Sequence, residues 1–136
     1  MKKFGLIVLS LMLSSRIFAG EVTCPPDDQV KSVTLTEAFQ SPYDPESWNF
    51  ISTVFTHDGS TWNVSFGTFL PDAKTQEEAL EQGQAYFNNA ALQIKHPRPV
   101  AIPGKTLCDY VPDGEEYWIS ATTPPETTGA RVKKIR

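Results

Sequence analysis

Asp58-Gly59 is the most constraining pair in this chain. Both central positions of a tight type I′ turn need positive φ, and this pair is favoured there for that reason. β-rich runs flank it on both sides, so residues 48–70 are predicted to form a hairpin. With those two residues in the turn, the register follows by counting. Phe55 faces Trp62, Thr53 faces Val64 and Ile51 faces Phe66. That face is almost wholly apolar and is assigned to the core. The opposite face pairs Val54 with Asn63, Ser52 with Ser65, Phe50 with Gly67 and Trp48 with Phe69. It is polar near the turn and aromatic at the open end.

Residues 30–39 alternate, with Val33, Leu35 and Phe39 on one side, and read as a half-buried strand. Ser41-Pro42-Tyr43-Asp44-Pro45 is a turn-rich connection. One substantial helix is expected over 75–94. Thr75 and Glu78 form a capping box, and Leu80, Gly83, Phe87, Ala90 and Ile94 recur at helical spacing. His96-Pro97 ends the helix, because a residue before proline avoids the α region. Two further strands are expected at 106–111 and 117–122, joined by Pro112-Asp113-Gly114. The order β-β-β-α-β-β predicts an α+β domain, an antiparallel sheet of about five strands with one helix packed on one face.

The N-terminus begins Met1-Lys2-Lys3, continues with an apolar run to Leu13 and reaches small residues at Ala19-Gly20. Positive start, short apolar stretch and small cleavage residues are the parts of a signal peptide. Cleavage is expected after Ala19, with Gly20 as the alternative. The run is shorter than the roughly 20 apolar residues that span a bilayer, and no later segment is a transmembrane candidate. The organisation expected is a signal peptide over 1–19, one α+β domain over 20–122 and a flexible basic tail over 123–136. The Lys-Lys start has a bacterial character, which points to the periplasm or the outside.

Export decides how the cysteines and charges are read. Cys24 and Cys108 are the only cysteines of the chain. An even pair in an oxidising compartment, without CxxC spacing, predicts a disulfide between them. The precursor carries 12 basic and 16 acidic residues. Losing Lys2, Lys3 and Arg16 leaves nine basic residues against 16 acidic. Four of those nine, Arg131, Lys133, Lys134 and Arg136, sit in the last six positions. The remaining body is strongly acidic, which argues against a nucleic-acid partner.

No catalytic motif occurs, so the reading is not an enzyme. His57 precedes the turn and reads first as a polar residue of the hairpin tip. His96 closes the expected helix, where a cation suits the dipole. Neither has metal-ligand spacing, and no metal site is expected. Trp48, Phe50 and Phe69 carry more information. They either pack under the 40–47 loop or the N-terminal lead-in, or form an exposed apolar patch, which marks a binding site.

The signal peptide, Cys24-Pro25-Pro26, the 48–70 hairpin, the 75–94 helix and the stretch from Cys108 to Trp118 together resemble a family of small exported proteins from intracellular Gram-negative pathogens. One branch of that family is described as hemin-binding. The resemblance covers most of the chain and rests on layout, so no site residue is carried over from it. It implies haem as a cofactor, held by an aromatic patch. Haem iron in proteins is held by His, Met, Cys or Tyr. Met1 and Met12 leave with the signal peptide, and the cysteines are expected to pair. His57, His96, Tyr43, Tyr86, Tyr110 and Tyr117 remain. His57 lies roughly 23–30 Å along the hairpin from Trp48 and Phe50. The expected ligand set is therefore Trp48, Phe50 and Phe69 with Tyr43 or His96. The alternative is an exported interaction module that contacts an envelope or host protein and takes no small ligand.

Overall fold

The computed structural model describes residues 22–127. The expected signal peptide, and residues 128–136 of the expected tail, lie outside the described residues. The described chain is α+β, an antiparallel seven-stranded sheet with a helix across one face and one disulfide. In chain order the elements are α1 (Asp27–Lys31), β1 (Leu35–Gln40), β2 (Ser47–Ser52), β3 (Phe55–His57), β4 (Ser60–Phe69), α2 (Gln76–Asn89), β5 (Val100–Ile102), β6 (Lys105–Asp109) and β7 (Tyr117–Thr123). The sheet order is β1-β2-β4-β7-β6-β5, and β3 also pairs with β4. The strand count exceeds the expected five because the first arm of the hairpin is broken in two. In addition, the extended stretch after the helix pairs with β6 through a turn at Gly104, whose φ is +80°.

The hairpin tip forms as the turn chemistry predicts. Asp58 has φ 50° and Gly59 φ 76°, and Phe55 lies opposite Trp62. Beyond β3 the expected register fails by one residue. Ile51 faces Ser65 instead of Phe66, and Phe50 faces Phe66 instead of Gly67. Residues 52–54 oppose only Asn63 and Val64, a bulge with one extra residue on the first arm. Its groups are satisfied locally: Val64 N donates to Ser52 Oγ at 2.8 Å, and Thr53 N donates to Thr34 O at 2.8 Å. A slip of one residue sends each side chain of β2 to the other face. Trp48 and Phe50 therefore turn into the core, where they are 3% and 1% exposed.

The core lies between the sheet and α2. Phe66 stacks on Phe50 with centroids 5.5 Å apart and meets Phe87 of α2 edge-on at 5.4 Å. Trp62, Val64, Ile119 and Ala121 complete it. β1 carries a bulge between Leu35 and Glu37, so Ala38 rather than the expected Phe39 points inward.

The Pro/Asp-rich lead-in contributes more than an extended arm. Acidic Asp27 and Asp28 start α1 and Lys31 ends it, the order a helix dipole favours. Cys24 is bonded to Cys108 of β6, and Tyr110 donates its hydroxyl proton to Pro25 O. The 84-residue separation lets that bond hold the lead-in to the late strands.

α2 starts as expected: Thr75 Oγ1 accepts from Glu78 N at 3.1 Å. It stops at Asn89, five residues before the expected end. Lys31 Nζ donates to the carbonyls of Phe87 and Ala90 and sits 4.5 Å from the Phe87 centroid. The cation at the helix end is thus Lys31, brought from another element, and not His96. Residues after Ala90 are drawn onto the sheet, where Gln93 N and Ile94 N both donate to Tyr110 O at 2.9 Å.

Residues 123–127, expected to belong to the flexible tail, are held against the sheet. β7 runs to Thr123, and the following residues fold back onto β4. Glu126 N donates to Asn63 Oδ1 at 2.8 Å, and Asn63 Nδ2 donates to Glu126 O at 2.9 Å.

Candidate functional site

The five residues expected to form one ligand patch are dispersed. Trp48 and Phe50 are core residues, and Phe69 is half-buried at the end of β4. Tyr43 stands on the β1–β2 connection at 60% exposure, with its backbone N–H donating to Ser41 Oγ. His96 is exposed beside the lead-in, in a groove of about 570 Å³ with Pro25, Pro26, Asp27 and Lys95. Gly67, expected opposite Phe50, pairs with Asn49 and Trp118. The Trp118 indole fills the space where a side chain would stand: a Cβ on Gly67 would lie 2.0 Å from Trp118 Nε1.

A different aromatic constellation lines an open groove. On α2, Gln82, Ala85, Tyr86 and Asn89 recur at i, i+3, i+4 and i+7 and so share one helix face. Tyr117 of β7 faces them, and Ala91 closes one end, around about 540 Å³. Small-molecule sites are typically about 300–1,000 Å³ and mostly apolar. The Tyr86 ring lies between Phe66 and Tyr117, 5.9 Å from each centroid. Tyr117 is held in place, since its hydroxyl donates to Ala91 O at 2.7 Å and accepts from Gln93 Nε2 at 3.0 Å. Among the described residues no hydrogen bond engages the Tyr86 hydroxyl.

The other possible iron ligands are committed elsewhere. His57 Nε2 is 3.0 Å from Thr23 Oγ1 and 3.5 Å from Asp58 Oδ2 at the hairpin tip. Tyr110 is fully buried, and burial together with the nearby Asp27 carboxylate pushes its pKa up. Both cysteines are in the disulfide. Among the described residues, no group of three or more His, Cys, Asp or Glu is placed to hold a metal ion. No helix of the described residues is long and apolar enough to cross a membrane.

The second face of the sheet is the other unusual surface. Directly paired residues of antiparallel strands share a face. Phe39, Asn49, Gly67 and Trp118 therefore form one row across four strands. Glu37, Ile51, Ser65, Ser120 and Asp109 form the next. Both described helices lie on the opposite, core side, yet Asn49 and Ser65 are each only 1% exposed. Among the described residues, neither polar atom of the Asn49 amide has a hydrogen-bond partner, nor does Ser65 Oγ. A buried polar group left unmatched costs about 1–3 kcal/mol, so such groups are rare in native folds. Of this face, the sequence patterning assigns Phe39 and Ile51 to the core side and Gly67 and Phe69 to the hairpin's open end, and it does not single out Asn49. The signal that could have found it is the polar spacing Asn63, Ser65, Gly67 on a strand otherwise rich in large apolar residues.

Compared with family models, curated proteins and solved structures, the chain finds no match.

Proposed function

We propose that this protein is an exported binding protein that takes a flat aromatic ligand of the hemin class in the groove between α2 and β7. The observation that carries the reading is the Tyr86–Tyr117 pair, two rings 5.9 Å apart lining a groove of about 540 Å³. Aromatic walls suit a porphyrin face, and a tyrosine oxygen is an established haem iron ligand. Tyr86 is the residue that would hold the iron, with Tyr117 as the positioned wall beside it. The groove around His96 is lined by prolines and charged residues, with no Phe, Tyr or Trp ring to stack on. The disulfide supports export, because such bonds persist in oxidising compartments.

Titration of hemin into the protein lacking residues 1–19, followed by its Soret band, tests the reading. A saturable shift is expected, and Tyr86→Phe should abolish the tyrosinate charge-transfer band while Tyr43→Ala and His96→Ala leave it. Absence of any shift removes the reading. Loss of the shift in His96→Ala alone would move the site to the groove beside the lead-in.

The alternative, an exported interaction module, is favoured by one specific observation, the buried and unmatched Asn49 and Ser65 on the helix-free face. Alanine at both positions should then abolish capture of a protein partner and leave hemin binding intact.

A further inference from the structure

We propose that Cys24 is a thiol–disulfide exchange site, attacked by a small thiol from the groove beside it, and that its opening releases the end of α2. The inference goes beyond the ligand groove and does not depend on what fills it. The two sulfurs of the bond are not equally placed. Cys108 is fully buried in β6, whereas Cys24 is half-buried and lines the groove of about 570 Å³ beside the lead-in. Thr23, Pro26, Lys95 and His96, which line it too, are exposed. Exchange needs a thiolate to reach one sulfur, so the groove directs attack to Cys24. Lys95 and Asp27 set one charge against the other there, which suits an uncharged thiol.

The step runs through a mixed disulfide. A thiolate, RS⁻, attacks Cys24 Sγ and forms a new S–S bond there. The bond to Cys108 breaks, and Cys108 Sγ keeps the electron pair and takes a proton from water. A second thiolate attacks the added sulfur, releases RSSR and leaves Cys24 as a thiolate. Two small thiols are thereby oxidised to one disulfide, and the protein's bond is reduced to two thiols.

The bond stands at the head of a line of contacts that leads to α2. Residues 22–31 pair with no strand of the sheet. Besides the disulfide they are held by hydrogen bonds: Thr23 to His57 and Asp58, Pro25 O to the Tyr110 hydroxyl, Gln29 Nε2 to Thr56 O, and Lys31 Nζ to Phe87 O and Ala90 O. An element outside the ladder can open without unfolding the sheet. When α1 lifts, Lys31 leaves the last carbonyls of α2. Tyr110 loses Pro25, and its carbonyl is the acceptor for Gln93 N and Ile94 N. Asn89, Ala90 and Ala91 line the Tyr86–Tyr117 groove, so the redox state of one bond sets the order of that groove's edge.

The test treats the folded protein briefly with mercaptoethanol, quenches it in acid, alkylates free thiols and weighs the peptides. The mercaptoethanol adduct is expected on Cys24, with Cys108 alkylated. After full reduction, amide exchange at Ala90, Gln93 and Ile94 should speed up by about ten-fold or more, while β4 and β7 keep their protection. Cys24→Ser with Cys108→Ser should reproduce that pattern without any thiol. An adduct on Cys108, or no reaction until denaturant is added, overturns the proposal. So does unchanged exchange at the three amides. Loss of the β-sheet circular dichroism on reduction also overturns it, because the bond would then hold the whole fold and not one movable element.

Discussion

Gly83 of α2 rests on the ring of Phe50 in β2: a Cβ at Gly83 would stand 2.4 Å from Phe50 Cζ. The helix reaches its sheet because position 83 carries no side chain, and Phe50 is inside because the bulge turned it there. Gly83→Ala should therefore destabilise the protein. Alanine gains up to about 1 kcal/mol in helix propensity. Overpacking against a core ring costs about 1–3 kcal/mol. A net loss of about 1–2 kcal/mol in urea denaturation is expected, and Phe50→Leu in the same chain should recover part of it.

Removing the disulfide by Cys24→Ser with Cys108→Ser frees the lead-in and its helix α1. The bond closes a separation of 84 residues, for which the chain-entropy relation gives roughly 4 kcal/mol as an upper figure. Thermal unfolding with and without reductant should show the same fall in Tm in the parent, and none in the double variant.

Lys31 joins α1 to the end of α2 through the carbonyls of Phe87 and Ala90. Burial lowers its pKa, so the charged form is partly penalised where it sits. Charge-assisted hydrogen bonds are still worth about 1.5–3 kcal/mol before that penalty. Lys31→Met keeps the stem over the Phe87 ring and loses the donors. We expect a stability loss of about 1 kcal/mol, the net worth of a single hydrogen bond, with faster amide exchange in the last turn of α2.

Tyr110 supplies the pH dependence. Its folded pKa is raised above the ordinary value of 10.0, by burial first and by Asp27 second. The folded state therefore holds its proton where the unfolded chain has released it. This contribution to stability is fully present below pH 10.0 and is lost as the pH rises above that value toward the folded pKa. The slope is at most about 1.4 kcal/mol per pH unit. Tyr110→Phe should lower stability near neutrality, through loss of the bond to Pro25 O, and flatten the alkaline decline of urea midpoints.

Much of the fold was legible because its signals are short-range. Asp58-Gly59 names its own turn, Thr75 and Glu78 name their own cap, and the only two cysteines, without CxxC spacing, name each other. The candidate site was legible only in its parts. Tyr86 and Tyr117 stood among the possible iron ligands, but 31 positions of sequence separate them, and their meeting depends on α2 crossing toward β7. Trp48 and Phe50 were placed on the wrong face because counting back from the turn assumes an unbroken ladder. Nothing near Thr53-Val54 announces a bulge; the extra residue is held by Thr34 of the α1–β1 connection, some twenty residues earlier.

The chain's sequence by itself determined its turns, the start of its helix and its disulfide partners, since each depends on a few neighbouring residues or on pairing by elimination. Only the tertiary structure decided which face of β2 is core, where α2 ends and which aromatic rings line a groove. Those outcomes depend on contacts between elements: Thr34 of the α1–β1 connection pinning the bulge, Lys31 taking the last helix carbonyls, and Gly83 admitting Phe50. In a strand of period two, one residue of slip exchanges the buried face for the other.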